Sequence, residues 1–132
     1  MTVSKQFRKP FSSLLPLTTM RCSTMMTKSA YVPENRGISA ALNYAVSQIN
    51  TPYVAFVDQD DLLHPAAISL VNRQLSSSRE CGLLYSDHVI FNDDGSATQY
   101  VPKFPWNPDA LLEFNYLIHL TVVRAELYKE CG

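Results

Sequence analysis

The sequence predicts an α/β fold in which helices alternate with buried strands, and three observations support this class. A helix with an apolar stripe leads directly into an apolar strand at Tyr53–Val57, a second helix with one apolar face follows, and further apolar runs come after it. The 132 residues suit one domain. With 46% hydrophobic and 17% charged residues, the chain has the composition of a globular protein with a single core.

The first helix is predicted after Asn35-Arg36-Gly37, and Pro52 ends it because a proline disfavours helical backbone in the residue before it. Its apolar stripe has helical spacing and consists of Ile38, Ala41, Leu42, Ala45, Val46 and Ile49. The continuous apolar run Tyr53–Val57 is typical of a strand buried on both faces, as in a parallel sheet. Helix and strand together resemble half of a βαβ unit.

The later elements follow from turn and cap signals. A second helix is predicted from Pro65 to Ser76-Ser77-Ser78, with an apolar face of Ala66, Ala67, Leu70, Val71 and Leu75. Strands are predicted at 82–85, on both sides of the Asp94-Gly95 hairpin turn, and at 117–123. Asn107-Pro108-Asp109 has the pattern of a helix start, with the helix ending at Phe114. A last helix is predicted from Ala125.

Residues 1–33 differ in charge from the remainder, so the predicted organisation is a basic N-terminal segment, 1–33, and one domain, 34–132. The segment carries five basic residues and no acidic one, which leaves six basic and twelve acidic residues for the remainder. A basic, serine-rich start is similar to a transit peptide. The alternative, which we prefer, is a poorly ordered or wrongly assigned start, because Pro10 and Pro16 interrupt any helix there.

Composition excludes several classes of protein. The formal net charge of −1 gives no basis for binding nucleic acid or an acidic membrane surface. No apolar run approaches the roughly 20 residues that a bilayer requires, and no secretory signal is apparent. The three cysteines, Cys22, Cys81 and Cys131, form no CxxC pair, which argues against a disulfide framework and a structural zinc site. We therefore expect the protein in a reducing compartment, the cytoplasm, where it could lie at the inner face of the membrane. We expect at most peripheral membrane association.

An acidic cluster follows the strand at Tyr53–Val57. Asp58 and Asp60, with Asp61 after them, come at the strand's carboxyl end, which is the edge where ligands bind in open α/β sheets. Hard carboxylate oxygens suit Mg²⁺ or Mn²⁺, and a cation would offset the repulsion between the acids. A metal site at Asp58 and Asp60 is the prediction; the alternative is a solvated acidic loop.

These residues carry a resemblance to a known family. The run Asn35–Asn43, the strand ending in Asp58-Gln59-Asp60-Asp61, Tyr85-Ser86-Asp87, the segment 102–109 and the segment 115–120 together resemble glycosyltransferase family 2 with the GT-A fold. They are most similar to the subgroup of O-antigen and rhamnan-type polysaccharide synthesis. The resemblance implies a Rossmann-like mixed sheet flanked by helices, truncated in this chain.

The resemblance also implies roles for individual residues. The donor would be a nucleotide-diphosphate sugar, contacted by Asn35, Arg36, Gly37, Asp58 and Asp87, with Mn²⁺ or Mg²⁺ on Asp58 and Asp60. His119 would orient a glycan or lipid-linked acceptor. For each of Arg36, Asp87 and His119, a purely structural role is an open alternative: an exposed helix start, a loop cap and a core histidine, respectively. Trp106 either stacks on a sugar ring or packs in the core.

The family's pattern is incomplete in this chain. Residues 1–34 show neither the family's Pro-x-Tyr-Asn-like turn nor its Asp-Asp-x-Ser strand end, and the family's general base would lie beyond Gly132. No catalytic residue is therefore identified. The predicted function is an inverting glycosyl transfer in cell-surface polysaccharide synthesis. The alternatives are a non-catalytic remnant of such an enzyme and a Mg²⁺-dependent phosphatase of the haloacid-dehalogenase type, which also places DxD after an apolar strand.

Overall fold

A computed structural model describes residues 2–4, 12–17, 35–58, 60–78 and 80–131. The described residues form eight strands and four helices, in the order β1 Thr2–Ser4, β2 Ser12–Leu17, α1 Ile38–Ser47, β3 Tyr53–Asp58, β4 Asp61–Leu63, α2 Ala67–Ser77, β5 Leu83–Tyr85, β6 His88–Phe91, β7 Ala97–Val101, α3 Pro108–Glu113, β8 Thr121–Arg124 and α4 Ala125–Cys131.

The strands form two sheets of four. One has the order β2-β3-β8-β5, and the other has the order β4-β1-β6-β7. In the first sheet every neighbouring pair is antiparallel, whereas β1 and β6 of the second sheet run parallel. The fold is therefore mixed α/β, as predicted. The prediction of parallel neighbours for β3 is wrong, because β8 and β2 both run against it.

Helices cover both faces of β3, and this is why its sequence lacks alternation. Residues Tyr53, Ala55 and Val57 are buried in one core cluster, which they share with Ala67, Val71 and Leu75 of α2. Val54, which has 0% exposure, packs on the opposite side in a second cluster with Val46 and Ile49 at the end of α1. Strand β8 divides in the same way, because Val122 belongs to the first cluster and Val123 packs against the second. Burial on both faces thus arises from helix packing and not from parallel pairing.

Most of the local predictions are confirmed. Helix α3 begins after Asn107, whose side-chain oxygen accepts hydrogen bonds from the backbone N–H groups of Asp109 and Ala110. The hairpin of β6 and β7 has Gly95 at φ 84°, the left-handed conformation that its turn requires. Helix α1 begins at Ile38, but this residue is 65% exposed, so the buried stripe starts further along the helix.

The last strand differs from the prediction of 117–123. Strand β8 begins only at Thr121, because the two residues before it, His119 and Leu120, have φ values of 62° and 58°. An extended strand requires negative φ, so neither residue can belong to it. The Leu120 side chain is nonetheless buried in the core, at 1% exposure.

The N-terminal segment contributes two strands that the sequence did not predict, β1 and β2. Strand β1 pairs with β4 and β6, and β2 pairs with β3 along its whole length. The other residues of 1–34, including Pro10, lie outside the described residues, and the boundary at residue 33 stays a prediction. In the part of the chain that the structure describes, no helix is long and apolar enough to cross a membrane.

Candidate active site

Three side chains that are distant in sequence meet at the carboxyl end of β3. Asp58 is the last residue of that strand, Asp61 is the first residue of β4, and His119 lies in the loop before β8. Strand β8 places its first residue, Thr121, opposite Phe56 of β3, so the preceding loop reaches the end of β3. One oxygen or nitrogen atom from each of the three side chains lies within 4.8 Å of the other two. We call Asp58, Asp61 and His119 the acid–histidine cluster.

The centre of the cluster is a buried ion pair. The Asp61 side chain is 1% exposed, and its Oδ2 lies 2.8 Å from Nδ1 of His119, whose side chain is 20% exposed. An ionised carboxylate only accepts hydrogen bonds, so Nδ1 of His119 donates. The other oxygen of Asp61, Oδ1, is buried and has no hydrogen-bond partner among the described residues. Leaving a buried acceptor unpaired costs about 1–3 kcal/mol, so this oxygen is available for a ligand.

Electrostatics follow from this crowding. Burial raises the pKa of Asp58, and the negative charge of Asp61 raises it further. The hydrogen bond to Asp61 raises the pKa of His119 above its ordinary value, against the opposing effect of burial. Two acids therefore compete for one imidazolium, and an additional cation would relieve the repulsion between them.

A second histidine, His88 at the start of β6, completes the surroundings of the cluster. It is 6% exposed, its Nδ1 has no hydrogen-bond partner in the described part of the chain, and its ring centroid lies 4.6 Å from that of His119. Burial lowers the pKa of His88, and the charge of Lys103 lowers it further. Sequence reasoning missed His88, because the only signal was its position directly after Asp87.

The backbone at His119 and Leu120 is strained. Left-handed φ in residues other than glycine costs on the order of 1–3 kcal/mol each and persists where surrounding contacts enforce it. Here the contacts are the bond from His119 to Asp61, the burial of Leu120, and a hydrogen bond from the Ser86 hydroxyl to the His119 carbonyl oxygen at 3.4 Å. Strain of this kind concentrates at functional sites.

Two predicted acidic residues lie outside the acid–histidine cluster. Asp60 is half-buried in the turn between β3 and β4 and is not one of the three grouped side chains, so its role as a metal ligand stays a prediction. Asp87 uses both carboxylate oxygens: one accepts from the Tyr100 hydroxyl and the other from the backbone N–H of Lys103, at 2.7 Å. These two bonds lower the pKa of Asp87. This arrangement supports its role as a structural link, and contact with a donor sugar stays a prediction.

The predicted donor-binding residues Asn35, Arg36 and Gly37 are exposed and precede α1. The Asn35 side chain accepts a hydrogen bond from the Gly37 N–H at 3.1 Å, and Gly37 has φ 87°. The end of α1 packs near Val54 of β3. Contact between these three residues and a donor bound at Asp58 stays a prediction.

Trp106 is 55% exposed, so of its two alternatives core packing is wrong and stacking on a sugar ring stays a prediction. A cavity of about 630 Å³ lies elsewhere, at the opposite end of β3, and is lined by residues 51–53 and by residues of β8 and α4. We place the site at the acid–histidine cluster because that is where buried, unpaired polar atoms converge, and a cavity alone does not indicate chemistry.

Comparison with known proteins identifies the family. Residues 28–80 match the sequence profile of glycosyl transferase family 2, and this range includes α1, β3 and Asp58 to Asp61. An O-antigen biosynthesis protein, RfbC, from Myxococcus xanthus is 29% identical over 92 residues, which cover 70% of this chain and 7% of that protein. The chain contains part of a glycosyl transferase family 2 domain.

A second relative of this family 2 chain is the uncharacterized protein y4gI of Sinorhizobium fredii (strain NBRC 101917 / NGR234). It is 34% identical over 98 residues, which cover 74% of this chain and 11% of the relative. The chain thus spans about a tenth of the length of the curated relatives it matches. No solved structure matches it. The family match favours a glycosyltransferase over the phosphatase alternative.

Proposed function

We propose that this family 2 domain belongs to an enzyme that transfers a sugar from a nucleotide-diphosphate donor to a glycan or lipid-linked acceptor. The observation that carries the proposal is the acid–histidine cluster at the carboxyl end of β3. Its three ligand atoms lie close enough together to hold one metal ion. The family match supports glycosyl transfer in general. The name of the Myxococcus relative supports a role in cell-surface polysaccharide synthesis. The proposal includes a cytoplasmic location, at or near the inner face of the membrane.

The cluster fits the divalent cation that the family implies. Asp61 Oδ1 is buried without a hydrogen-bond donor among the described residues, which is the condition a cation would satisfy. Asp58 offers an exposed carboxylate next to it, and His119, as a neutral ring with its proton on Nδ1, offers Nε2. Transition metals accept imidazole more readily than Mg²⁺ does, so this donor set favours Mn²⁺ over Mg²⁺. When bound, such an ion supplies positive charge beside a departing diphosphate.

The chain's own residues then have distinct tasks. Asp61 is fixed by its bond to His119, so the orientation of its free oxygen is set before any ligand arrives. Asp58 is the exposed member of the cluster and faces solvent, from which a donor would enter. Asn35 and Arg36 are exposed before α1 and are the proposed contacts to the nucleotide. We assign no general base, and inversion at the anomeric carbon is part of the proposal by resemblance to the family.

The test is a calorimetric titration of the full chain with uridine- and thymidine-diphosphate sugars, with Mn²⁺ and with a chelator. We expect Mn²⁺-dependent binding in the wild type, and much weaker Mn²⁺-dependent binding in Asp58→Asn and Asp61→Asn. Asp93→Asn is the matched control, because Asp93 is an exposed carboxylate in the hairpin turn and should bind as the wild type does. Binding that is unaffected by chelator, or by both cluster substitutions, would contradict the proposal. Metal-dependent binding without sugar transfer would favour the non-catalytic alternative.

A further inference from the structure

His88 is a buried polar residue that the proposed function does not involve. Its side chain belongs to the buried part of the described structure, at 6% exposure. Its Nδ1 contacts no hydrogen-bond partner in the described structure, which costs stability on the order of 1–3 kcal/mol. Whatever His88 contributes at this position therefore comes from the contacts of its ring and not from Nδ1.

The contact that matters is with the ring of His119. His88 starts β6, in the second sheet, and packs on His119, which precedes β8 of the first sheet. The two ring centroids are 4.6 Å apart, with the ring planes inclined by 57°. The His119 ring is therefore held in two ways: through Nδ1 by Asp61, and from the side by the His88 ring.

A single hydrogen bond does not fix the orientation of an imidazole. Rotation about the Cβ–Cγ bond of histidine has broad, shallow minima, so a ring turns easily unless its flanks are packed. The backbone of His119 has a left-handed φ of 62°, which gives the side chain a direction but no lateral support. The ring of His88 provides that support on one flank.

We propose that His88 is a positioning residue, whose ring holds the His119 imidazole in the orientation that joins Nδ1 to Asp61. The consequence for cation binding rests on the proposed function, whereas the effect on His119 does not. The contact requires a flat ring and uses no hydrogen bond through Nδ1 of His88, which meets no partner among the described residues. Phenylalanine at position 88 should therefore preserve the orientation, and alanine should not.

The chain has three histidines, so its imidazole nitrogens give a simple nitrogen-15 NMR spectrum. His64→Ala removes the signals of the exposed third ring and serves as the control. At one fixed pH above the folded pKa of His119, the wild type and His88→Phe are expected to show His119 with its proton on Nδ1, bonded to Asp61. In His88→Ala the His119 signals should move to the averaged positions of a mobile ring. If His119 keeps the wild-type signals in His88→Ala, or loses them in His88→Phe, the proposal is overturned.

A second measurement follows the consequence for the cation. Mn²⁺ affinity is expected to fall about tenfold or more in His88→Ala and to stay within about threefold of the wild type in His88→Phe, because residues that orient a ligand tune affinity by such factors. Val46→Ala is the matched core control, since Val46 is buried on the opposite face of the first sheet. It should lower stability without moving the His119 signals. A wild type that binds no Mn²⁺ would overturn the proposed function, and the NMR comparison would still decide the role of His88.

Discussion

Replacing Asp61 by Asn removes one buried negative charge and keeps the shape of the side chain. Two effects oppose each other in the metal-free protein. The charged hydrogen bond to His119 weakens, which costs about 1.5–3 kcal/mol at most. The repulsion between Asp61 and Asp58, whose carboxylate oxygens lie within 4.8 Å of each other, is relieved. This relief is worth about 3 kcal/mol at an effective dielectric constant near 20, and less here because Asp58 is exposed. We therefore expect the free energy of unfolding to change by no more than about 1 kcal/mol.

In the presence of Mn²⁺ the two effects no longer cancel, because the cation needs both carboxylates. Losing one of them should cost about 2 kcal/mol of binding free energy after screening, or about thirtyfold in affinity. At a Mn²⁺ concentration of about 100 times Kd, the wild type gains about 2.7 kcal/mol of stability. At the same concentration, the variant would gain only about 0.9 kcal/mol. For a chain of this size the corresponding rise in Tm is roughly 10 °C against roughly 3 °C.

Thermal unfolding with and without Mn²⁺ measures this difference directly. Asp60→Asn is the informative comparison, because the sequence pattern predicts Asp60 as a ligand and the structure groups Asp61 with Asp58 and His119 instead. If Asp60→Asn loses the Mn²⁺-dependent rise in Tm and Asp61→Asn keeps it, the reasoning from the acid–histidine cluster is refuted.

Further predictions concern pH and local structure. The raised pKa of His119 should appear above 6.5 by NMR titration and fall in Asp61→Asn; its stabilising contribution is full below about pH 6.5 and is lost as pH rises through the folded pKa. The lowered pKa of Asp87 gives the opposite pH dependence, because its stabilising contribution is present above about pH 4 and is lost as pH falls through the folded pKa. Tyr100→Phe removes the hydrogen bond to Asp87, so in urea unfolding it should destabilise the protein at pH 7 but much less at pH 3. Asn107→Ala removes the cap of α3 and should cost about 1 kcal/mol in the same assay, whereas Asn107→Asp should cost little.

The sequence predicts well those elements in which the pattern of apolar residues along the chain shows which side chains are buried. The apolar run of β3 and the stripe of α1 each indicate which face is covered, and Asp58 follows from the end of the strand. Pairing partners are not encoded in this way. The antiparallel neighbours of β3 were not predictable from a run that is equally typical of a parallel strand.

The site was less predictable, for a physical reason. Asp61 and His119 are 58 positions apart and meet only because β8 pairs with β3 and the chain turns sharply before it. In that turn Leu120 has a left-handed backbone conformation, which leucine rarely adopts. The residue type therefore does not predict the turn. No sequence pattern indicates a role for His88, because that role depends on the ring of His119, which is distant in sequence.

The cluster draws its members from both sheets. Asp58 ends β3 and His119 lies in the loop before β8, both in the first sheet, whereas Asp61 begins β4 in the second. The seam between the two sheets thus runs through the ligand-binding atoms, and a small shift of one sheet against the other would change every distance among them. A ligand that binds the three side chains of the cluster would hold the two sheets against each other. Hydrogen exchange along β4 and β6 should then slow on ligand binding, far beyond the residues that the ligand touches.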